Sequence, residues 1–316
     1  MRVTAILNKD GGTLKTADIQ ALSDLFHQTF EAAGHRIDVD VVSGAELSDS
    51  LKKVVADPDC DALVVGGGDG TVSLAASLCW KEGKVLGVLP AGTMNLFARS
   101  LGMPLKLEEA IAALATGAAR EADICTVNDH AFVHQVSIGV QPRMVELRKA
   151  IPYRSRIGKI NASFKAALKA LLRPPTFRAR LKGAEAESVR AYSILAVSNN
   201  VYGDGHLPFA DRIDGGILGV YASEPLSPLM NLRLARDLLL RRWTSNEHFL
   251  SQSGDRVTID ILSRTRGRKM SVDGELLPLP ASLDIRLHGR ALKVLAPLAG
   301  AGQAETVPEP AAAGAA

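Results

Sequence analysis

Three short glycine-containing turns carry polar side chains of the kind that bind phosphate. They are residues 8–12 (Asn-Lys-Asp-Gly-Gly), 66–71 (Gly-Gly-Gly-Asp-Gly-Thr) and 90–93 (Pro-Ala-Gly-Thr). Glycine lets backbone amides point into a turn and lets a ligand approach the main chain closely. Where such a turn leads into a helix, the free amides and the helix dipole favour a bound anion. Each turn is therefore a candidate phosphate-binding segment.

The central turn differs from the common nucleotide-binding motifs because it contains an acid, Asp69. No Gly-Lys-Ser/Thr follows it, so it is not a P-loop, and its glycines do not have the Gly-x-Gly-x-x-Gly spacing. A carboxylate among phosphates indicates a metal ion between them. Thr71 is predicted to be the N-cap of the following helix, residues 72–78. The alternative is a tight turn in which Asp69 only caps that helix.

The first 118 residues alternate strand and helix patterns. Strands are predicted at 2–7, 37–42, 61–65 and 85–89, and further helices at 17–34, 45–57, 94–101 and 107–115. This alternation predicts an α/β domain with a doubly wound parallel sheet covered on both faces. All three turns follow strands, so they would meet at the carboxyl edge of one sheet, where open α/β sheets bind ligands. This expected convergence favours one shared phosphate-binding site over three turns with unrelated roles.

Beyond residue 118, short strand patterns separated by charged or Gly/Pro turns indicate an antiparallel β-sandwich. They fall at 121–127, 131–138, 176–182, 188–197, 216–222, 256–262, 269–273, 283–287 and 291–296, with helical inserts at 143–172 and 227–242. The predicted domains are 1–118, which residues 290–298 could join, and 119–297. Residues 299–316, rich in Ala, Gly, Pro and Glu, are predicted to be a disordered tail.

The composition is that of a soluble globular protein. The chain has 316 residues, 47% of them hydrophobic, which is enough for two domains. Its three cysteines lack metal-binding spacing, so a disulfide framework or a zinc site is not expected and a reducing cytoplasm fits best. No signal-peptide pattern and no run of about 20 apolar residues is seen, so no membrane span is expected. The sequence contains no pattern that indicates the oligomeric state.

Residues 143–182 are strongly basic. They contain twelve Lys/Arg and one acid, a net charge of +11, whereas the whole chain carries +3. Apolar residues between Ile157 and Leu172 share one helical stripe, with lysines off it. Such a helix can lie on an anionic membrane surface. An ordinary surface helix with its apolar stripe on its own core is an equal alternative. Nucleic-acid binding is not expected, because the aromatic residues that stack on bases are few.

Three motifs, in this order along the chain, resemble the bacterial lipid kinases of the diacylglycerol kinase / sphingosine kinase family. They are residues 67–71 (Gly-Gly-Asp-Gly-Thr), 90–99 (Pro-Ala-Gly-Thr-Met-Asn-Leu-Phe-Ala-Arg) and 272–275 (Val-Asp-Gly-Glu). Residues 132–139 and 208–216 look like that family's strand after the domain crossing and its metal-binding turn. The resemblance covers nearly the whole chain except the tail. It implies an NAD kinase/diacylglycerol kinase-like nucleotide-binding domain followed by a β-sandwich domain, with ATP between them.

The resemblance also implies an ATP- and Mg²⁺-dependent kinase that phosphorylates a hydroxyl of a membrane lipid, at the inner membrane face. The residues implied to hold ATP are Asn8, Lys9, Asp10, Gly11, Gly12, Ser43, Gly67, Gly68, Asp69, Gly70, Thr71, Val72, Ser73 and Thr93. Asp69 would reach one Mg²⁺ ion through water. Asp214, with main-chain oxygens near Asp211 and Gly216, would hold a second, structural ion.

Asp273 or Glu275 would be the general base of such a kinase. An alcohol is a poor nucleophile and reacts faster with a carboxylate within hydrogen-bond reach. Asp-Gly between alternating residues is also the strongest short-range pattern of a β-hairpin. The two interpretations are compatible if the hairpin tip carries the base into the cleft.

The chain departs from the family pattern at several turn positions. Lys9 and Gly11 stand where Pro and Ser are usual, Ser73 and Leu74 replace an Asn-Glu pair, and Leu96 replaces an Asp. Two acids are thereby lost from the predicted cleft, so a non-catalytic lipid- or nucleotide-binding regulator is an alternative. A NAD kinase-like enzyme, which shares Gly-Gly-Asp-Gly-Thr, is another; residues 90–95 and the turn with Asp211 and Asp214 favour the lipid kinase.

Overall fold

The computed structural model describes residues 1–150, 165, 167–172, 174–183, 187–203, 209–227, 229–230, 233, 250–264 and 266–298. The labelled helices are α1 (Ile19–Ala32), α2 (Leu47–Ala56), α3 (Asp69–Glu82), α4 (Leu96–Ser100), α5 (Leu107–Thr116) and α6 (Val140–Ala150). The strands are β1 (Arg2–Asn8), β2 (Arg36–Val42), β3 (Ala62–Gly67), β4 (Val85–Pro90), β5 (Ala118–Val127), β6 (His130–Phe132), β7 (Gln135–Gly139), β8 (Phe177–Lys182), β9 (Ser188–Tyr192), β10 (Ile194–Ser198), β11 (Leu218–Ser223), β12 (Leu250–Gly254), β13 (Arg256–Ile261), β14 (Lys269–Val272), β15 (Glu275–Pro278) and β16 (Ser282–Ala296). None of the helices within these residues is long and apolar enough to cross a membrane.

The N-terminal part contains a parallel sheet in the order β2-β1-β3-β4. Helix α1 packs on β2, α3 on β3 and α5 on β4. Every residue of β3 is buried, as expected for a central strand covered on both faces. The predicted doubly wound α/β domain is therefore confirmed.

Helix α3 begins earlier than predicted. Gly68, in an extended conformation, is its N-cap, and Asp69 is its first residue. The prediction of Thr71 as the N-cap was wrong: Thr71 lies inside the first turn, buried, where its Oγ1 accepts a hydrogen bond from Asn8 Nδ2 at 3.4 Å. A glycine can take the cap position, and an acid in the first turn interacts favourably with the helix dipole.

The C-terminal part is an antiparallel sandwich. A six-stranded sheet in the order β12-β11-β10-β7-β14-β15 faces strands β8, β13 and the first half of β16. Alternate residues of each layer, such as Leu195 and Val197 on β10 and Val257 and Ile259 on β13, enter one shared core. This agrees with the predicted β-sandwich.

One long strand, β16, connects the two halves, although the sequence pattern predicts two strands there. Its first residues pair with β13, its last with β4 through Val294 and Leu86, and most of its length with β5. An irregularity between His288 and Leu292 interrupts the alternation, which explains the two separate patterns. At this point Arg290 N–H donates to the buried Asp123 carboxylate at 2.8 Å.

We retain the domain division 1–118 and 119–297 as a proposal. Two separate apolar cores support it, and Leu292, Val294 and Leu295 belong to the first core, which supports the joining of 290–298 to the first domain. Of the predicted apolar stripe of the basic insert, Leu168 and Leu171 are half-buried and Leu172 is exposed. The other three residues, Ile157, Ile160 and Phe164, lie outside the described residues. The same holds for most of the insert 227–242 and for the tail 299–316.

Candidate active site

A cleft of about 710 Å³ lies between the carboxyl ends of the parallel strands and the start of β7 together with the β14–β15 hairpin. All three glycine turns contribute to its wall. The predicted site residues that line it are Asn8, Gly11, Gly12, Gly68, Asp69, Gly70, Thr71, Thr93, Asp273 and Glu275. The fold therefore brings together residues that are up to about 270 positions apart in the sequence.

The first and third turns touch each other at Gly12. Its φ is +48°, and a Cβ built there would lie 1.8 Å from the carbonyl oxygen of Ala91. The next residue, Thr13, donates its backbone N–H to the same oxygen at 2.7 Å. Only glycine fits such a close approach, so this residue fixes how near the two turns lie.

Asp69 joins the second and third turns. Its Oδ1 accepts the backbone N–H of Leu96 at 2.8 Å, and its Oδ2 accepts that of Asn95 at 3.3 Å. Asn95 has a left-handed backbone, φ 52°, and its own Oδ1 accepts the Gly92 N–H at 2.7 Å. The carboxylate thus holds the third turn against the first residue of α3.

The Asp69 carboxylate suits a metal ion that is shared with phosphates. Mg²⁺ prefers oxygen ligands and keeps several waters, using one or two carboxylates together with substrate phosphates. Across the described residues, no group of three or more His, Cys, Asp and Glu side chains could hold an ion alone. Asp69 is partly exposed on the cleft wall, next to the backbone amides of the turns. This donor set fits Mg²⁺ brought by a phosphate ligand and does not fit an all-protein metal site.

Asp273 is a buried carboxylate with four hydrogen-bond donors. Its Oδ1 accepts the N–H groups of His134 and Gln135 at 3.0 and 2.8 Å, and its Oδ2 accepts Val133 N–H and Ser73 Oγ–H at 2.9 and 2.7 Å. Burial raises the pKa of Asp273 and is the largest influence, while the four hydrogen bonds act to lower it. Both oxygens are therefore already occupied by protein donors.

Glu275 directly follows Asp273 and Gly274, the two residues of the turn between β14 and β15. The predicted hairpin is present: Val272 pairs with Glu275, and Asp273 and Gly274 between them have φ values of 45° and 85°. Positive φ at both central residues is the type I′ arrangement, which suits a tight hairpin. Glu275 is exposed on the cleft, and within the described part of the chain its carboxylate has no hydrogen bond or ion pair. Unlike Asp273, it is available to a ligand.

The start of β7 supplies a polar and aromatic floor to the cleft. Tyr202 Oη donates to Gln135 Oε1, and the Tyr202 ring stacks on Tyr221 with centroids 4.5 Å apart. The His134 ring also stacks on Tyr202, with the two ring centroids 6.0 Å apart. Burial lowers the pKa of His134 to about 4 and raises that of Tyr202 well above its usual value. Both side chains are therefore neutral near pH 7.

The turn predicted to hold a second metal ion lies away from the cleft lining. Gly216 N–H donates to Asp123 Oδ2 at 2.7 Å, which ties the turn to β5. The Asp214 carboxylate has Arg212 at 3.4 Å and Arg290 at 3.8 Å, and Asp211 packs against Gly203. Two guanidinium groups beside Asp214 do not favour a divalent cation there. The structural ion stays a prediction.

Several residues implied to hold ATP do not line the cleft directly. They are Lys9, Asp10, Ser43, Gly67, Val72 and Ser73. Asp10 accepts the Gly44 N–H at 2.8 Å, and Ser43 donates to Glu46, which lowers the pKa of Glu46. These contacts fix the segment around the first glycine turn at the rim of the cleft.

Other residues line the cleft that the sequence did not predict as site residues, although several of them belong to the motifs 90–99 and 272–275. They are Leu47, Gly92, Met94, Leu96, Phe97, Val133, His134, Gln135, Gln141, Val145, Arg148 and Gly274. Residues 132–139 were noticed only as a strand and Arg148 only as part of the basic insert. An isolated His-Gln pair before a strand has no spacing that indicates a site, so its position became clear only from the fold.

Residues 2–127 match the family model of the diacylglycerol kinase catalytic domain. Solved structures agree in fold: a diacylglycerol kinase from Bacillus anthracis superposes with a TM-score of 0.66 at 15% identity, over 93% of this chain and 96% of that one. The resemblance to the diacylglycerol kinase family that the sequence predicts is therefore confirmed, through this family model over residues 2–127 and the shared fold.

Two curated relatives are named as a diacylglycerol kinase and a probable lipid kinase. The diacylglycerol kinase of Bacillus subtilis is 25% identical over 255 residues, covering 78% of this chain and 82% of that protein. The Escherichia fergusonii protein named "Probable lipid kinase YegS" is 40% identical over 87 residues, 26% of this chain and 29% of that protein. The match to "Uncharacterized protein sll0036" of Synechocystis, 24% identical, covers 80% of this chain but only 61% of that protein.

Gly12→Ala should destabilise the fold strongly, because its Cβ would meet a carbonyl oxygen 1.8 Å away. The matched control is Gly102→Ala, which has a similar φ of +70° but nothing within 4 Å. The control should cost about 1 kcal/mol for the left-handed backbone alone. Denaturant unfolding should show a larger loss for Gly12→Ala by at least about 1 kcal/mol. Equal losses would mean that the two turns can separate freely.

Ser73→Ala should weaken the contact between the first domain and the hairpin, because it removes one donor from the buried Asp273 carboxylate. We expect a loss of about 1–3 kcal/mol in the free energy of unfolding. Ser77→Ala makes the same chemical change one turn further along α3 and should be nearly neutral, since Ala is the better helix former. If both variants unfold at the same denaturant concentration, the Ser73–Asp273 bond contributes nothing.

Proposed function

We propose that the chain is an ATP- and Mg²⁺-dependent kinase that transfers the γ-phosphate to a hydroxyl of a membrane lipid. The observation that carries this proposal is the shared cleft, in which three glycine turns face a hairpin with an exposed carboxylate. Phosphoryl transfer depends mainly on positioning and charge neutralisation at the phosphates, with little covalent help from the protein. A cleft lined by the glycine turns, the first turn of α3 and the carboxylates of Asp69 and Glu275 is suited to both requirements.

In this proposal the phosphates of ATP bind to the turns around Gly11, Gly68 and Gly92. The first amides of α3, which begins at Asp69 directly after Gly68, and the dipole of this helix attract negative charge. Asp69 would hold Mg²⁺ through water, and this ion would neutralise charge on the phosphate oxygens. The missing acids of the family pattern do not remove this arrangement, because Leu96 contributes its backbone N–H to Asp69 whatever its side chain is.

We assign Glu275 the role of general base and Asp273 the role of a positioning residue. The lipid hydroxyl oxygen attacks the γ-phosphorus, its proton passes to the Glu275 carboxylate, and the bond from the γ-phosphorus to the β–γ bridging oxygen breaks to release ADP. Asp273 is poorly suited to accept that proton, because four protein donors already occupy its oxygens. Its role is to hold the hairpin on β7 and α3.

The test of the function is the transfer of label from γ-labelled ATP into a mixed lipid extract. We expect a labelled lipid that disappears with EDTA and in Asp69→Ala, whereas Asp38→Ala, an exposed aspartate on β2, should label normally. Parallel reactions contain NAD instead of lipid. Label in NAD alone would establish the NAD kinase alternative. Binding of ATP and of anionic vesicles with no labelled product would favour a non-catalytic regulator at the membrane surface.

Glu275→Gln should reduce kcat for lipid phosphorylation by about 100-fold or more, since it removes the base but keeps the shape. The KM for ATP and the unfolding midpoint should stay close to wild type. Asp273→Asn should instead lower the unfolding midpoint, because an amide NH₂ would face backbone donors. Glu82→Gln, an exposed change at the end of α3, is the control. Near-normal kcat in Glu275→Gln would contradict its role as the base.

A further inference from the structure

Helix α6 turns one row of side chains toward the cleft. Gln141, Val145 and Arg148 follow one another at spacings of four and three residues, which places them on one face of the helix, and all three line the cleft. Of the described residues that line the cleft, Arg148 is the one that carries a permanent positive charge. Arg148 is exposed, so a ligand in the cleft can reach its guanidinium.

The packing of α6 puts this arginine on the wall that carries the proposed base. Helix α6 packs on β7, β14 and β15, and β15 begins at Glu275. Glu146, which lies off the row, forms ion pairs with Lys269 at the start of β14, at 3.5 Å, and with Arg143 at 3.4 Å. No ion pair between described residues involves Arg148. Arg148 therefore approaches the cleft from the hairpin side, opposite the glycine turns, with its charge available to a ligand.

The proposed reaction moves negative charge toward a carboxylate. The phosphoryl group leaves ADP and becomes bonded to the lipid oxygen, on the side of the cleft where Glu275 lies. The carboxylates that line the cleft, Asp69, Asp273 and Glu275, repel a phosphate. A cation on the acceptor side offsets this repulsion, and a guanidinium is well suited to it because its paired N–H donors match two phosphate oxygens. In the described lining, Arg148 is the side chain of this kind.

We propose that Arg148 binds the phosphoryl group on the acceptor side of the cleft, while it is transferred and after it has become the phosphate of the lipid product. This inference rests on the proposed kinase function and adds a phosphate-binding residue to it. An arginine in contact with the transferred group stabilises the charge of the transition state and so raises kcat. Because Arg148 meets this group only when it has moved toward the acceptor, the affinity for ATP depends little on it.

Binding of the product tests the site without turnover. The probes are 1,2-dioctanoyl phosphatidic acid, 1,2-dioctanoylglycerol and ATP, the lipids below their micelle concentrations so that no membrane surface is present. Arg148→Ala should bind the phosphatidic acid about ten- to a hundredfold more weakly than wild type, the value of one charged hydrogen-bonded contact, and the other two probes within about twofold. The matched control is Arg143→Ala, the same change on α6 in a residue paired with Glu146, which should bind all three as wild type does.

Turnover separates a contact with the phosphoryl group from a structural role. With dioctanoylglycerol as acceptor, Arg148→Ala should lower kcat by about 100-fold or more. Its unfolding midpoint should stay at the wild-type value, because the residue is exposed. Guanidinium ion, added at a concentration that does not unfold the protein, should restore part of the rate in Arg148→Ala and none in Asp69→Ala. A merely structural arginine would not be replaced by a free cation.

The outcomes keep the two proposals apart. If Arg148→Ala weakens ATP binding and leaves phosphatidic acid binding intact, the arginine belongs to the nucleotide side and the proposal is overturned. Equal losses in Arg143→Ala and Arg148→Ala would identify a general effect of positive charge on α6 and overturn it as well. If wild type and Arg148→Ala phosphorylate the lipid at the same rate, the kinase stands and the role of Arg148 fails. If wild type binds phosphatidic acid through Arg148 but transfers nothing, the kinase fails and the phosphate site alone stands.

Discussion

The buried carboxylate of Asp273 is the interaction on which the geometry of the cleft depends. A carboxylate 6% exposed is tolerated only when donors replace water, and here the donors come from the two residues before β7, from its first residue and from α3. Satisfying one group thus requires the hairpin, the start of β7 and the first turns of α3 to meet. The distance between the phosphate side and the hairpin side of the cleft follows from that requirement.

Much of the remaining cleft is made by main-chain atoms. The contacts of Gly12 with Ala91 and of Asp69 with the amides of Asn95 and Leu96 do not depend on the identity of most neighbouring side chains. Departures from the family pattern at such positions therefore change less than the sequence suggests. At Ser73 the departure matters more, since its hydroxyl is one of the four donors to Asp273.

The sequence predicted the elements whose pattern is local and missed features set by distant contacts. Buried β-branched runs and glycine turns identified β1, β3, β4 and their shared edge, because periodicity and turn chemistry are properties of adjacent residues. The continuity of β16 was missed, since an irregularity hides its alternation. The N-cap of α3 was assigned two residues inside the helix, because Thr71 has the right side chain but is buried against Asn8. His134 carries no local pattern at all.

The continuity of β16 limits how the cleft can select a substrate. A hinge between the halves would have to bend a strand that is paired with β4 on one side, β13 on the other and β5 along most of its length. Its one irregular point, near Arg290, is held by the buried carboxylate of Asp123, which also binds the turn at Gly216. Wide domain closure would break these bonds. In the proposed kinase, selection of the acceptor would therefore fall to fixed side chains on the cleft wall.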